Sequence, residues 1–415
     1  MRKQIKKFRK RILFLFAIIG PGIITAFADN DAGGVATYFV SSSKFGYSML
    51  TITIPMTMVL AITQEIGSRL AVVTGKGLGD LIREKYSIKI SILMFVTLFF
   101  INFTVILQNV GGIKDALTLF NLNPLFFLPL VLFFLFVFIT KASYKKIEYF
   151  FLLLIVFYIA YFVSAIIAKP DWGLVGKSLF VPVGKVSFNY IFTAVAVLGT
   201  TITAWGQFFI NSYVKDKKLT PDKLKYNQIE VYAGAILTNV FSLFMMVAVI
   251  ATLFVNGIEI HGAADAAIAI EPFAGHLARL LFGVGLFVAG FIGSAIVPLT
   301  TAYAFSEFFG YEGSLDVSFS ESKLFYIFFI VQILMAMFVV LIPGVSLFQF
   351  ALYASFLNGL FLPVIFFFLY RFANNADLMG DFKNTRIQNI FLVGASIVVT
   401  IASLTGVIGM FLGLE

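Results

Sequence analysis

Two stretches of this chain set ligand-forming groups in the middle of apolar sequence. The first reads Ala28-Asp29-Asn30-Asp31-Ala32-Gly33-Gly34, with apolar sequence before it, past Gly20-Pro21-Gly22, and again from Val35. A carboxylate at membrane depth is expensive unless it lines a polar cavity or meets a cation. Gly33 and Gly34 give poor helix support and tolerate unusual backbone, which favours unwinding there. The second stretch, Leu198 to Gln207, carries Thr200, Thr201, Thr203, Gly199 and Gly206 where a plain membrane helix would carry Leu and Phe. Unwound carbonyls, hydroxyls and carboxylates are hard oxygen donors, and the chemistry they support is cation binding. Two plainer readings compete. The first helix can simply end at Asp29, which leaves residues 35–42 as a lone apolar stub. The second stretch can be ordinary small-residue helix packing. The matched occurrence of both favours two interrupted helices.

The elements that position these groups follow from composition. Of 415 residues, 60% are hydrophobic, 12% are charged and 52 are Phe. A soluble chain carries about a quarter charged residues, so lipid is the expected solvent. Apolar runs fall at roughly 12–42, 48–73, 90–111, 124–140, 149–168, 188–212, 229–255, 277–304, 323–342, 345–370 and 389–412, most near the ~20 residues a bilayer needs. That predicts about eleven helical spans, since runs this long are helices and not barrel strands. With a cytoplasmic N-terminus, most of the 30 Lys and Arg fall inside, leaving Lys44, Lys114, Lys169, Lys177, Lys185 and Arg279 outside. This fits the positive-inside rule and places the C-terminus outside a cell (plasma or inner) membrane. Ala26-Phe27-Ala28 imitates a signal-peptide cleavage site, but the apolar sequence runs straight on, and the basic run Arg2 to Arg11 serves topology. The net charge of +9 is explained the same way and not by nucleic acid. The absence of cysteine excludes disulfides, thiolate ligands and cysteine nucleophiles.

The two interrupted spans are the first and the sixth. An offset of five brings the second set of helices in from the other side, the arrangement of inverted repeats whose broken helices meet at mid-membrane. The predicted organisation is a basic terminus 1–11, a first repeat 12–168, a second repeat 188–370 and an extra helix 389–412.

Gly20-Pro21-Gly22, Asp31-Ala32-Gly33-Gly34, Ala36-Thr37, Phe45-Gly46-Tyr47 and Val73-Thr74-Gly75-Lys76-Gly77-Leu78 resemble the Nramp divalent-metal transporters along essentially the whole chain. The resemblance implies an all-α LeuT-type (APC-type) fold with ten helices in two inverted repeats, helices 1 and 6 broken, plus helix 11. The family's first-helix motif is Asp-Pro-Gly-Asn, whose Asp and Asn bind metal. Here Asp31 keeps the acid and Gly34 replaces Asn. Its sixth-helix motif, Ala-x-x-Met-Pro-His, aligns to Thr200-x-x-Thr203-Ala204-Trp205, so the metal-binding Met and the His are gone. The third-helix Asp and Glu linked to proton movement align to Val105 and Gln108. The resemblance therefore implies metal ligands Asp31, Gly34, Thr200 and Thr203, with Asn239 and Ser355 as weaker candidates near family polar positions.

These departures fit one another. Loss of a thioether removes a bias toward transition metals, and Gly34 is expected to open space. Mg²⁺ keeps its waters and often binds through only one or two carboxylates. The pattern is similar to the Nramp-related magnesium transporters, a likeness that Leu357-Asn358-Gly359 and Asn374 to Gly380 share. The expected function is import of Mg²⁺, with Mn²⁺, by alternating access driven by membrane potential and not by protons. The metal is cargo, no resident cofactor is implied, and the partners are the metal ion and lipid, with no nucleic acid or obligate protein. The alternatives are a proton-coupled Mn²⁺/Fe²⁺ symporter, an organic-substrate transporter on the same fold, and an intramembrane enzyme or receptor. No HExxH motif or convincing Ser/His pair supports the last. Glu65 beside Arg69 reads as a structural ion pair. His261 and His276 read as loop residues, and Gly75 to Gly79 as a turn that lacks Walker spacing.

Overall fold

The computed structural model describes residue 25 and residues 28–141, 159–184, 186–311, 313–315, 317–344 and 346–413. Long helices dominate: α1 Ala32–Phe45, α2 Thr53–Thr74, α3 Leu78–Lys85, α4 Ile88–Leu119, α5 Pro124–Lys141, α6 Ile159–Ile167, α7 Trp172–Ser178, α8 Phe188–Thr201, α9 Ala204–Asp216, α10 Leu224–Val249, α11 Ala278–Phe309, α12 Lys323–Val340, α13 Leu347–Ala373 and α14 Arg386–Leu412. Among the described residues, nine helical stretches are long and apolar enough to cross a membrane. One of them, Ala32–Thr74, holds both α1 and α2, joined by a 3-10 turn at Gly46–Ile52. The first half of the expected fifth span lies outside the described residues, as do the basic N-terminus and Gly20-Pro21-Gly22.

Local chemistry sets the boundaries. α2 stops at Gly75, whose φ of 66° is the left-handed conformation a glycine takes at a helix end. Thr385 and Gln388 form a reciprocal capping box that starts α14. Pro298 and Pro363 sit inside α11 and α13, where neighbouring helices can satisfy the freed carbonyls.

α1 lies at the centre and packs on α4, α8, α10, α11 and α13, while α4 runs along α11 and α8 along α13. A Cβ at Gly199 would lie 2.1 Å from Ser355 O and one at Gly359 2.7 Å from Val195, so small residues let α8 and α13 touch backbone to backbone. Glu65 is fully buried. It accepts from Arg69 Nε, Gln228 Nε2 and Gln388 Nε2, each at 2.8 Å. Arg69 also donates to Phe382 O and to Asn384 Oδ1 (2.8 Å), so this ion pair ties α2 to the loop before α14, the structural role expected of it.

A second charged knot lies where α3, α9 and α11 meet. Lys215 Nζ is 2.5 Å from Asp80 Oδ2 and 3.8 Å from Glu307 Oε1, and Gly79 N donates to Glu307 Oε2 at 3.1 Å. Beside it is a cavity of about 610 Å³, with Ser212, Asp216, Tyr303 and Ser314 in its wall.

Candidate metal-binding site

The chain loses helical pairing twice at the centre, as expected. Asp29 N still donates to Thr25 O, but Asp31 N reaches only Ala28 O, and α1 begins at Ala32 with Asp31 as its cap. In the sixth span α8 ends at Thr201. Ile202 (φ −108°, ψ 63°) and Thr203 (φ −66°, ψ 147°) are non-helical, and α9 starts at Ala204. Ile202 N takes the Leu198 carbonyl. Thr200, one residue before the end of α8, is among those whose carbonyls have no further helical N–H to receive.

Asp31 is 3% exposed and held from both sides. Its Oδ1 accepts from Gly34 N at 2.8 Å, and its Oδ2 accepts from Asn109 Nδ2 at 2.7 Å. Asn109 Oδ1 in turn accepts from Ala32 N at 3.1 Å, so one amide of α4 grips both the acid and the first peptide of α1. Facing it, Thr203 Oγ1 caps α9 by accepting from Gly206 N (3.0 Å) and donates to Asp29 Oδ1 at 3.2 Å. Asp29 Oδ2 accepts from Gln64 Nε2 of α2, also at 3.2 Å. Asn30 points to α10, donating to Thr238 Oγ1 at 2.7 Å and accepting from Ser242 Oγ at 2.7 Å. The two breaks are thus lined by carboxylate, amide and hydroxyl groups, with the Met56 thioether sulfur accepting from Thr201 Oγ1 at 3.4 Å at the end of α8. Among the described residues, no three His, Asp or Glu side chains gather into a cage.

The sequence candidates divide. Asp31 and Thr203 sit at the breaks, and Thr200 at the end of α8. Gly34 differs from expectation. A Cβ there would lie 2.6 Å from Asp29 O, so the glycine does not open room but lets the backbone fold back on itself, contributing its N–H. Ser355 bonds Thr37 Oγ1 at 2.8 Å and tethers α13 to α1. Asn239 donates to Ala235 O of its own helix (2.9 Å), and Thr238 and Ser242 are the α10 residues bonded to the break. Gln108 donates to Ala351 O at 3.0 Å, and Val105 is buried among apolar residues. Asn109 and Gln64 do not figure in the motifs above, and Asn358, whose Oδ1 accepts from Ala204 N at 3.3 Å, enters them only as part of a family likeness. The polarity of three amides inside apolar helices was the available signal.

The family model described as Natural resistance-associated macrophage protein-like (Nramp) matches residues 22–409. The chain belongs to the Nramp family. It is 28% identical over 392 residues to the metal transporter nramp1 homolog of Dictyostelium discoideum, covering 91% of this chain and 72% of that protein. It is 26% identical over 412 residues to the divalent metal cation transporter MntH of Klebsiella pneumoniae, covering 96% and 95%. A crystal structure of a point mutant of the Eremococcus coleocola manganese transporter superposes with a TM-score of 0.78 at 17% identity, over 96% of this chain and 88% of that one. MhsT in complex with L-phenylalanine gives 0.57 at 14% identity, over 93% and 97%. The fold is accordingly the all-helical LeuT type. Nramp family members are metal transporters, not enzymes, and this chain is an integral membrane protein.

Proposed function

We propose that this Nramp-family chain imports Mg²⁺, and Mn²⁺ with it, by alternating access around the two breaks, drawn by membrane potential without protons. Asp31 is the principal ligand in this reading. Thr203 supplies a hydroxyl, the end of α8 near Thr200 supplies carbonyls, Gly34 orients Asp31 through its N–H, and Ser355 and Asn239 stay peripheral. The observation that carries the proposal is the donor set. The oxygens at the breaks are those of the Asp31 carboxylate, held by N–H donors, and the Thr203 hydroxyl, and Mg²⁺ selects oxygen, while the soft Met56 thioether is engaged by Thr201 Oγ1 at 3.4 Å. Val105 and Gln108 give no ionisable side chain on α4 near the site. A divalent ion gains about 4.6 kcal/mol across 100 mV, an accumulation above roughly a thousandfold when about 1.4 kcal/mol is a factor of ten. The repeats divide at 12–168 and 188–370, with helix 389–412 outside them. The N-terminus lies in the cytoplasm and the C-terminus outside a cell membrane.

The reading in which protons accompany the metal draws on one observation, the second buried acid, Asp29. The test is flux of Mg²⁺ and Mn²⁺ into vesicles holding the purified protein, clamped inside-negative, with internal pH recorded. Saturable entry of both ions at comparable concentrations, absent in Asp31→Ala and without acidification, is the expected result. Micromolar Mn²⁺ uptake that ignores millimolar Mg²⁺ would overturn the selectivity. Metal-dependent acidification that disappears in Asp31→Ala would restore proton symport.

A further inference from the structure

We infer that Asp29, Gln64 and Thr203 form a second oxygen-lined cation station beside Asp31, so that a divalent ion is passed between two acids and not held by one. The inference rests on the transport reading above and extends it to residues of α2 and the first break that the family motif does not include.

Four observations meet here. Asp29 is 1% exposed, and no cationic side chain is among its bonded partners, which are Thr203 Oγ1 and Gln64 Nε2. A carboxylate with only these two neutral partners keeps free lone pairs. Gln64 is fully buried, and its Oε1 has no hydrogen-bond partner among the described residues. Its Nε2 binds Asp29, so the same planar amide holds that orphaned carbonyl oxygen beside the carboxylate. This amide orientation is the one that lets Gln64 donate to an ionised Asp29. Thr203 Oγ1 uses its proton on Asp29 and accepts from Gly206 N. In the transport reading above Thr203 also serves the ion at Asp31, and so it would link the two stations. Finally, Gly206 leaves room. A Cβ there would lie 2.6 Å from Thr203 Oγ1 and 3.1 Å from Asp29 Oδ1, so any other residue would crowd both oxygens.

The group offers a carboxylate, an amide carbonyl and a hydroxyl, with no nitrogen or sulfur acceptor. That is the donor chemistry of a hard divalent cation that keeps part of its water. It lies against α9, the half-helix that runs toward the Lys215 knot, so the station is one step from Asp31 toward that end of the molecule. An orphaned buried carbonyl costs stability when it has no role, and a passing cation gives it one.

The test uses the full-length chain in proteoliposomes, with Mg²⁺ as the probe and three variants, each checked for monodisperse elution and unchanged helical content. Gln64→Leu removes the carbonyl and should raise KM for Mg²⁺ roughly tenfold, the lower end of what losing a site-supporting group costs in metal affinity. Gln64→Glu puts a charged oxygen where the orphaned carbonyl was. It should lower KM and slow turnover, because ligand charge count sets the affinity of such sites. A residue that merely held Asp29 by donating a hydrogen bond would behave oppositely, since Glu would repel Asp29 as Leu abandons it. Equal rises in KM for Leu and Glu, or an unmoved KM in Gln64→Leu, overturn the station. Asp31→Ala separates the two levels. Flux that survives in it overturns the reading of Asp31 as carrier, whereas flux lost there with KM unmoved in Gln64→Leu overturns only the second station.

Discussion

Replacing Gly34 by alanine asks whether the first break tolerates a side chain. The added carbon would sit 2.6 Å from the carbonyl oxygen of Asp29, while ordinary contact begins at 3.4 Å. About 0.8 Å must therefore be found, and the obstacle is backbone, fixed by Asp29 N on Thr25 O and by the Gly34 N–Asp31 bond. Overpacking of this kind costs about 1–3 kcal/mol, and the strain falls on the acid that carries the ion. If it lowers the population of the binding-competent geometry, the initial rate of Mg²⁺ influx should drop roughly tenfold, since about 1.4 kcal/mol is a factor of ten. Gly33→Ala is the internal control. Its Cβ would meet side-chain atoms and not backbone, Gln108 Oε1 at 2.5 Å and Asp31 Oδ1 at 3.2 Å, and Gln108 can yield by giving up its bond to Ala351 O. Influx per milligram of reconstituted protein, with melting followed by size-exclusion fluorescence, compares the two. Wild-type influx in Gly34→Ala, or a larger loss in Gly33→Ala, refutes the steric argument.

Asp31→Ala should abolish Mg²⁺ and Mn²⁺ flux while the protein still elutes as a folded species, and undiminished flux would remove it as the ligand. Gly34→Asn with Thr203→Met, which brings in the family's ligands, should raise the Mn²⁺ to Mg²⁺ ratio but lower total flux because of the same clash. Competition uptake reads both, and an unchanged ratio counts against the donor-set argument. Asn109→Leu strips a donor from Asp31 Oδ2 and orphans Ala32 N, so stability should fall by about 1–3 kcal/mol for the unsatisfied group, visible as a lower melting temperature. Arg69→Ala leaves Glu65 buried without its cation and should cost about 3–5 kcal/mol. A melting temperature equal to wild type would show that Gln228 and Gln388 suffice.

The two breaks were legible because their polarity contradicts the surrounding sequence. Asp29, Asp31 and the threonines after Leu198 have no place in a plain lipid-spanning helix, and their offset of five spans gave the architecture. Partners were harder to see. Asn109 and Gln64 are single amides in apolar helices, and each finds its carboxylate 78 or 35 positions away in the chain. Such an amide reads equally well as a packing bond until the fold brings the helices together. On α10 the reading fell one residue away. Asn239 is rotated about a quarter turn from Thr238, and that turn decides which side chain is bonded to Asn30. Gly34 misled for another reason. A missing side chain suggests space, but here the backbone itself fills it.

The knot at Asp80, Lys215 and Glu307 bears on leakage. The lysine answers two acids on different helices, and one of them, Glu307, is 3% exposed. Drawing α9 away from α11 would take that acid from its cation, and breaking such a pair by removing one partner is costly. The pair therefore favours full contact over a half-parted geometry at this end of the molecule. For a carrier of small ions the distinction is vital, because a gate that lingers ajar is a channel, and the cell's voltage would run down through it.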